Sequence, residues 1–187
     1  MPVSIPPRGQ ALREARRSVE LDPLSMSAYN NLGAMYAYAG QPQRSVEAFE
    51  AALALSPEAA SVASNLALSY MDVGREADAI RLAESAQAID PQDHFTMSVL
   101  GYIYARVGKR AEAEGALATL RAQRDVSPYL IATVYAGMGD GERAFQWLEE
   151  AVDKRDDSVP DLGVDPVFAD LRGDPRMQRL LRRIGLD

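Results

Sequence analysis

The sequence holds few side chains that could do chemistry, and their spacing does not assemble a reactive centre. There is one histidine, His94, and no cysteine. Without thiols, disulfides, thiolate catalysis and cysteine-ligated zinc or iron–sulfur clusters are excluded, and one imidazole cannot build a multi-histidine metal site. As a general base His94 would need an oriented nucleophile and an acid. None stands near it, and it is expected in a solvent-exposed loop after Asp93. The glycines of Gly137-Met138-Gly139-Asp140-Gly141 have neither dinucleotide nor phosphate-loop spacing, and helices precede them, so the segment reads as an interhelix turn. Asp153, Asp156, Asp157 and Asp161 lack the ligand spacing of an EF-hand and read as a solvated acidic connection. Arg172, Arg176, Arg179, Arg182 and Arg183 gather near the C-terminus. Phosphate or nucleic-acid contact is one reading of them; compensation of a helix dipole is the favoured one. Phe145 and Trp147 could anchor a partner, but packing beneath the terminal helices is expected. No catalytic residue, cofactor or metal is assigned.

Composition agrees with a non-catalytic role. The 187 residues are 47% hydrophobic and 25% charged, enough for one or two domains with a real core. With 20 Lys+Arg against 27 Asp+Glu the net charge is −7, which argues against nucleic-acid binding by the chain itself. No apolar run approaches the roughly 18 residues of a membrane helix. Met1–Arg8 lacks the apolar core of a signal peptide. A cytoplasmic protein is expected.

The elements that position these residues show in a repeat. Pro23, Pro57 and Pro91 are 34 residues apart, as are Gly40, Gly74 and Gly108, Tyr36, Tyr70 and Tyr104, and Leu32, Leu66 and Leu100. Tyr29, Leu32, Gly33 and Tyr36 share one helix face, and Gly40 breaks the helix. Ser45, Phe49 and Ala52 mark the inward face of a second helix, closed by Ser56-Pro57. Each period is therefore a pair of antiparallel helices of about 13 residues. Gly33, Ala67, Gly101 and Ala132 on the first helices, and Ser45, Ala79, Ala113 and Ala144 on the second, permit close crossing.

This pattern resembles the tetratricopeptide repeat. The Leu-Gly/Ala pair, the Tyr three residues later, the turn Gly, the Ala of the second helix and the closing Pro all match. Tyr29, Ala63 and Met97 replace the family's usual Trp, and Asp125 its closing Pro in the third full unit. The resemblance implies an all-α, right-handed superhelical solenoid. Its expected parts are a partial N-terminal repeat over 1–25, with only a second helix, three full units over 26–59, 60–93 and 94–127, a fourth full, displaced unit over 128–157, and C-terminal capping helices over 158–187. In the displaced unit Gly139 follows Gly108 by 31 residues.

The ends are expected to differ. The N-terminal second helix, without a first, should leave Leu12, Ala15 and Val19 uncovered. Either it is a degenerate cap, or the chain is the C-terminal piece of a longer protein. The second reading is preferred. At the other end Asp165-Pro166 and Asp174-Pro175 start two short helices, the last with Met177, Leu180, Leu181 and Ile184 on one face. From Ser127 onward the chain is also similar to the repeat tail of bacterial winged-helix regulators, serine/threonine kinases and adenylate cyclases. That implies a bacterial signalling context and the alternative role of a sensing tail.

In such a solenoid the first helices line a concave groove. The residues expected there are Asn30, Asn31, Tyr38, Ser64, Asn65, Leu68, Phe95, Ser98, Tyr102 and Arg106. Chaperone-binding members of the family clamp a carboxylate with several basic residues, and only Arg106 is basic here. A neutral groove holding a peptide or protein partner through amide and aromatic side chains is the expectation. The sequence names neither partner nor oligomeric state.

Overall fold

Asp and Ser side chains punctuate the chain and set where its helices begin. The computed structural model describes residues 8–186, and all regular structure among them is helical. The elements are α1 (Arg8–Leu21), α2 (Met26–Tyr38), α3 (Pro42–Leu55), α4 (Ala60–Asp72), α5 (Glu76–Ile89), α6 (His94–Arg106), α7 (Arg110–Ala122), α8 (Pro128–Gly137), α9 (Gly141–Lys154) and α10 (Pro175–Arg183). Two 3-10 segments, Val159–Asp161 and Pro166–Leu171, lie between α9 and α10. Ser25, Ser127, Asp140 and Asp174 each accept a backbone N–H from the first turn of α2, α8, α9 and α10, satisfying donors that a helix start leaves open. Asp93 does the same for α6 through the N–H groups of Phe95 and Thr96. His94 is thereby the first residue of α6 and half-buried, not in an exposed loop.

Turn glycines end the first helices. Gly40, Gly74, Gly108 and Gly139 have φ of 68°, 76°, 80° and 71°, a region that costs an L-residue strain. The residue after each then donates its N–H to the carbonyl of the repeat tyrosine, from Gln41 to Tyr36 through Asp140 to Tyr135. This closes the open carbonyls at the helix end. The Gly137–Gly141 segment is such a turn.

The chain divides into two compact units, Met1–Ile89 and Asp90–Asp187. In the first, α2 pairs with α3 and α4 with α5, while α1 packs on α2 and α3 on α4. In the second, α6 pairs with α7 and α8 with α9, α6 lies along α8, and α10 packs on α9. The small residues occupy the crossings: Ser45, Ala79, Ala113 and Ala144 are wholly buried, as are Ala67 and Ala132. The Ser45 hydroxyl donates to the Gly33 carbonyl at 2.9 Å, joining the first crossing by a hydrogen bond as well as by contact.

Three expectations are corrected here. The stripe of α1 is not left open: Ala15 is buried with Leu32 and Ala48, and Leu12 and Val19 pack around them with Met35 and Tyr36. A second helix turns its apolar stripe toward the following first helix, so losing its own partner does not uncover it. Near α1 the apolar side chains that stand out are Leu21 and Leu24, at and just beyond its end; Leu55 and Ile89, at the ends of α3 and α5, are exposed too. The segment before Arg8 lies outside the described residues. The first of the two terminal helices is a 3-10 segment: Asp165 caps Val167, but the segment Pro166–Leu171 is only six residues long. Finally, Phe145 and Trp147 part company. Phe145 is buried, with the Arg176 guanidinium 4.2 Å from its ring centre, whereas Trp147 is half-buried beside Tyr135 and Arg143.

Candidate functional site

On the first-helix face of the first unit, α2 and α4 lie side by side and present Asn30, Asn31, Tyr38, Asn65 and Leu68, all half-buried or exposed. Asn65 Nδ2 donates to Asn30 Oδ1 at 3.2 Å, bridging adjacent first helices. Each amide then keeps its other polar end, Asn30 Nδ2 as donor and Asn65 Oδ1 as acceptor. A peptide unit offers the matching acceptor and donor. Ser64 is wholly buried, and its hydroxyl has no hydrogen-bond partner among the described residues.

The equivalent face of the second unit is built differently. Ser98 is buried and donates to the Leu130 carbonyl at 2.7 Å, tying α6 to α8. Tyr102 is buried too: its ring sits so close to α8 that a Cβ on Gly137 would lie 2.8 Å from Tyr102 Cδ2. Only Phe95, half-buried, and Arg106, exposed, reach the surface there. Arg106 is paired with Asp170 at 2.6 Å. Helical spacing puts all these residues on one face, but the width of the strip covered by the next first helix is a packing property, invisible to periodicity.

Sequence reasoning missed the outer face, where consecutive second helices spread apart. In the first unit a groove of about 540 Å3 runs between α3 and α5 over Leu53, Leu66 and Leu82. At its rim Tyr70 donates to Glu50 at 2.9 Å, and Arg75 lies 3.9 Å from the tyrosine ring centre while pairing with Asp78 at 2.7 Å. Burial, and then the bond to Glu50, push the Tyr70 phenol above its ordinary value; the Arg75 hydrogen bond holds Asp78 below its own. The second unit has a groove of about 490 Å3 at the same place in its repeats, lined by Arg121, Tyr135, Arg143, Gln146, Trp147 and Glu150. A cation also stacks on the repeat tyrosine in the other units: Arg44 on Tyr36, Lys109 on Tyr104 and Arg143 on Tyr135. The signal was present as a basic residue five or eight positions after each repeat tyrosine.

The acidic connection is structural. Asp153 pairs with Arg183, and Asp156 accepts from Ser127 Oγ and from the Ser158 N–H. Among the described residues no group of three or more His, Asp or Glu could hold a metal, and no helix is long and apolar enough to cross a membrane. Arg172 and Arg176 are likewise engaged. Arg172 donates to the carbonyls of Val164 and Asp165, and Arg176 pairs with Asp174 and Glu142.

Comparison with known proteins agrees with this architecture. The sequence model of the tetratricopeptide repeat matches residues 36–94. No curated protein matches. Among solved structures, the chain is similar to TTC0263, a thermophilic tetratricopeptide-repeat protein of Thermus thermophilus. The TM-score is 0.67 at 21% identity, over 94% of this chain and 91% of that one. Pseudomonas aeruginosa pilF gives a TM-score of 0.54 at 20% identity, over 95% of this chain and 84% of its own. YrrB, described as having an unusual peptide-binding site, gives 0.53 at 13% identity, over 93% and 92%. At these identities the likeness shows the fold, and that fold supports protein–protein interaction.

Proposed function

Because this chain is a tetratricopeptide-repeat protein, we propose that it works as a non-catalytic interaction module whose first-helix face holds a peptide of a partner protein. The observation that carries the reading is the half-buried Asn30–Asn65 pair, which bridges adjacent first helices and uses only one polar end of each amide. A peptide laid across α2 and α4 satisfies both, while Tyr38 and Leu68 supply apolar contact. No lysine or arginine stands among the five open residues of this face, so recognition here rests on amides and shape rather than on a charged clamp. That a solved protein of the same fold is described by its peptide-binding site lends the reading support.

Peptides selected from a random library against the full chain test it. Binding should fall by about 1–2 kcal/mol on Asn65→Ala, since a polar group of the peptide loses its partner. It should change little when salt rises from about 0.1 to 0.5 M. Selected peptides that ignore Asn65 and release with salt would place recognition elsewhere.

A further inference from the structure

The two outer grooves occupy the same repeat positions, so each serves as a control for the other. Leu82 in the first stands where the second has Trp147, and Leu53 where the second has Arg121. The repeat framework does not require an indole there. Its other full units carry Ala48, Leu82 and Ala116 at that position, and the counterparts of Arg121 are Val19, Leu53, Gln87 and Val152, none of them charged. Two side chains that packing does not demand thus meet at one groove.

Their polar inventory is one-sided. In the first groove the cations are neutralised: Arg75 by Glu50 and Asp78, and Arg81 by Asp78. In the second, the lining carboxylate Glu150 is held by Lys154 at 2.7 Å. Arg143 keeps Asp140 at 3.4 Å, and Arg121 pairs with no carboxylate among the described residues. What faces the groove is an open guanidinium, a second one at its edge, and the half-buried face of Trp147. Donors and an aromatic surface call for an acceptor carried beside an apolar group.

We propose that this groove is a second binding site, which takes an acidic peptide segment of a partner protein, with a carboxylate paired to Arg121 and Arg143 and a neighbouring apolar side chain stacked on Trp147. A short peptide with a few carboxylates feels mainly these local cations. A long polyanion also meets the chain's net charge of −7. The site lies on second helices and is independent of the asparagine face.

The chain has one tryptophan, so its fluorescence reports this groove alone. The full chain is titrated with a blocked Asp-Asp-Phe-Asp-Asp peptide and with its Asn-Asn-Phe-Asn-Asn counterpart. The acidic peptide should give a saturable change with Kd below about 1 mM. Affinity should drop about tenfold or more with the asparagine peptide, with Arg121→Glu or Arg121→Ala, and with salt raised from about 0.05 to 0.5 M. Both Arg121 variants replace an exposed side chain, and unchanged circular dichroism verifies their fold. Four results overturn the proposal: no saturation, equal binding of the two peptides, indifference to Arg121, or loss of the response through Asn30→Ala or Asn65→Ala instead. Displacement of the peptide by single-stranded oligothymidylate at equal or lower concentration would make the groove a general polyanion site and overturn it too.

Discussion

Phe49 lies against Gly33 so closely that a Cβ on the glycine would sit 2.7 Å from the ring. The ring is buried and cannot swing away. Gly33→Ala therefore forces the crossing of α2 and α3 apart, at about 1–3 kcal/mol, against which helix propensity returns at most about 1 kcal/mol. In a Phe49→Ala background the clash is gone and the same change should stabilise. The second pair already combines Ala67 with Ala83 at these positions. Urea denaturation of the four proteins reads the sign reversal, and a Gly33→Ala effect of one sign in both backgrounds would refute the account of this crossing.

The turn glycines make a complementary case, because space is not the issue. Nothing lies within 4 Å of a Cβ built on Gly74, yet its φ is +76°. Gly74→Ala should cost about 1–2 kcal/mol from backbone strain alone, and Gly74→Asn less. The opposite change is available at Arg155, which ends α9 in the left-handed region with φ 54°. Arg155→Gly should gain about 1 kcal/mol. Thermal melts of the variants check both directions together.

Much of this was legible from periodicity. The 34-residue spacing of Leu32, Gly33, Tyr36 and Gly40 states which residues face inward and where the helices stop. The crossings and turns follow from those residue types alone. What periodicity does not contain is the extent of cover between neighbouring pairs. Ser98 and Tyr102 share a helix face with the open Asn30 and Asn65, yet α8 closes over them. Trp147 illustrates the converse. A large aromatic at a repeat position reads as core, but consecutive second helices spread there and leave it half-buried.

That difference separates two substitutions that the sequence alone treats alike. Asn65→Ala removes one half-buried side-chain hydrogen bond and should alter stability by only about 1 kcal/mol. Tyr102→Ala empties the space between α6 and Gly137 and should cost about 3 kcal/mol or more. A chemical denaturation series places each. Any loss of ligand binding by Tyr102→Ala would then follow from a loosened second unit, whereas loss by Asn65→Ala would occur in a fully folded protein.

The last expectation concerns Asp165, which accepts from the Tyr129 hydroxyl at 2.8 Å and from the Val167 N–H at the start of the Pro166–Leu171 segment. Burial pushes its carboxyl above the ordinary range, outweighing those two bonds, which pull it down. Asp161 nearby adds to the rise and Arg172 opposes it. A carboxyl raised in the folded state stabilises fully below its unfolded value, and that contribution is lost as pH climbs through the folded value. Asp78 and Asp174, lowered by Arg75 and Arg176, act in the other sense and lose their contribution as pH falls. The whole-protein curve mixes these, so the comparison is with Asp165→Asn, which cannot ionise and can keep its oxygen for the Val167 N–H while its Nδ2 donates to the Tyr129 hydroxyl. Relative to wild type, the variant should become more stable as pH rises from about 4 to about 7. A stability difference that stays level across that window would mean that Asp165 carries its charge in the folded protein as easily as in the unfolded chain.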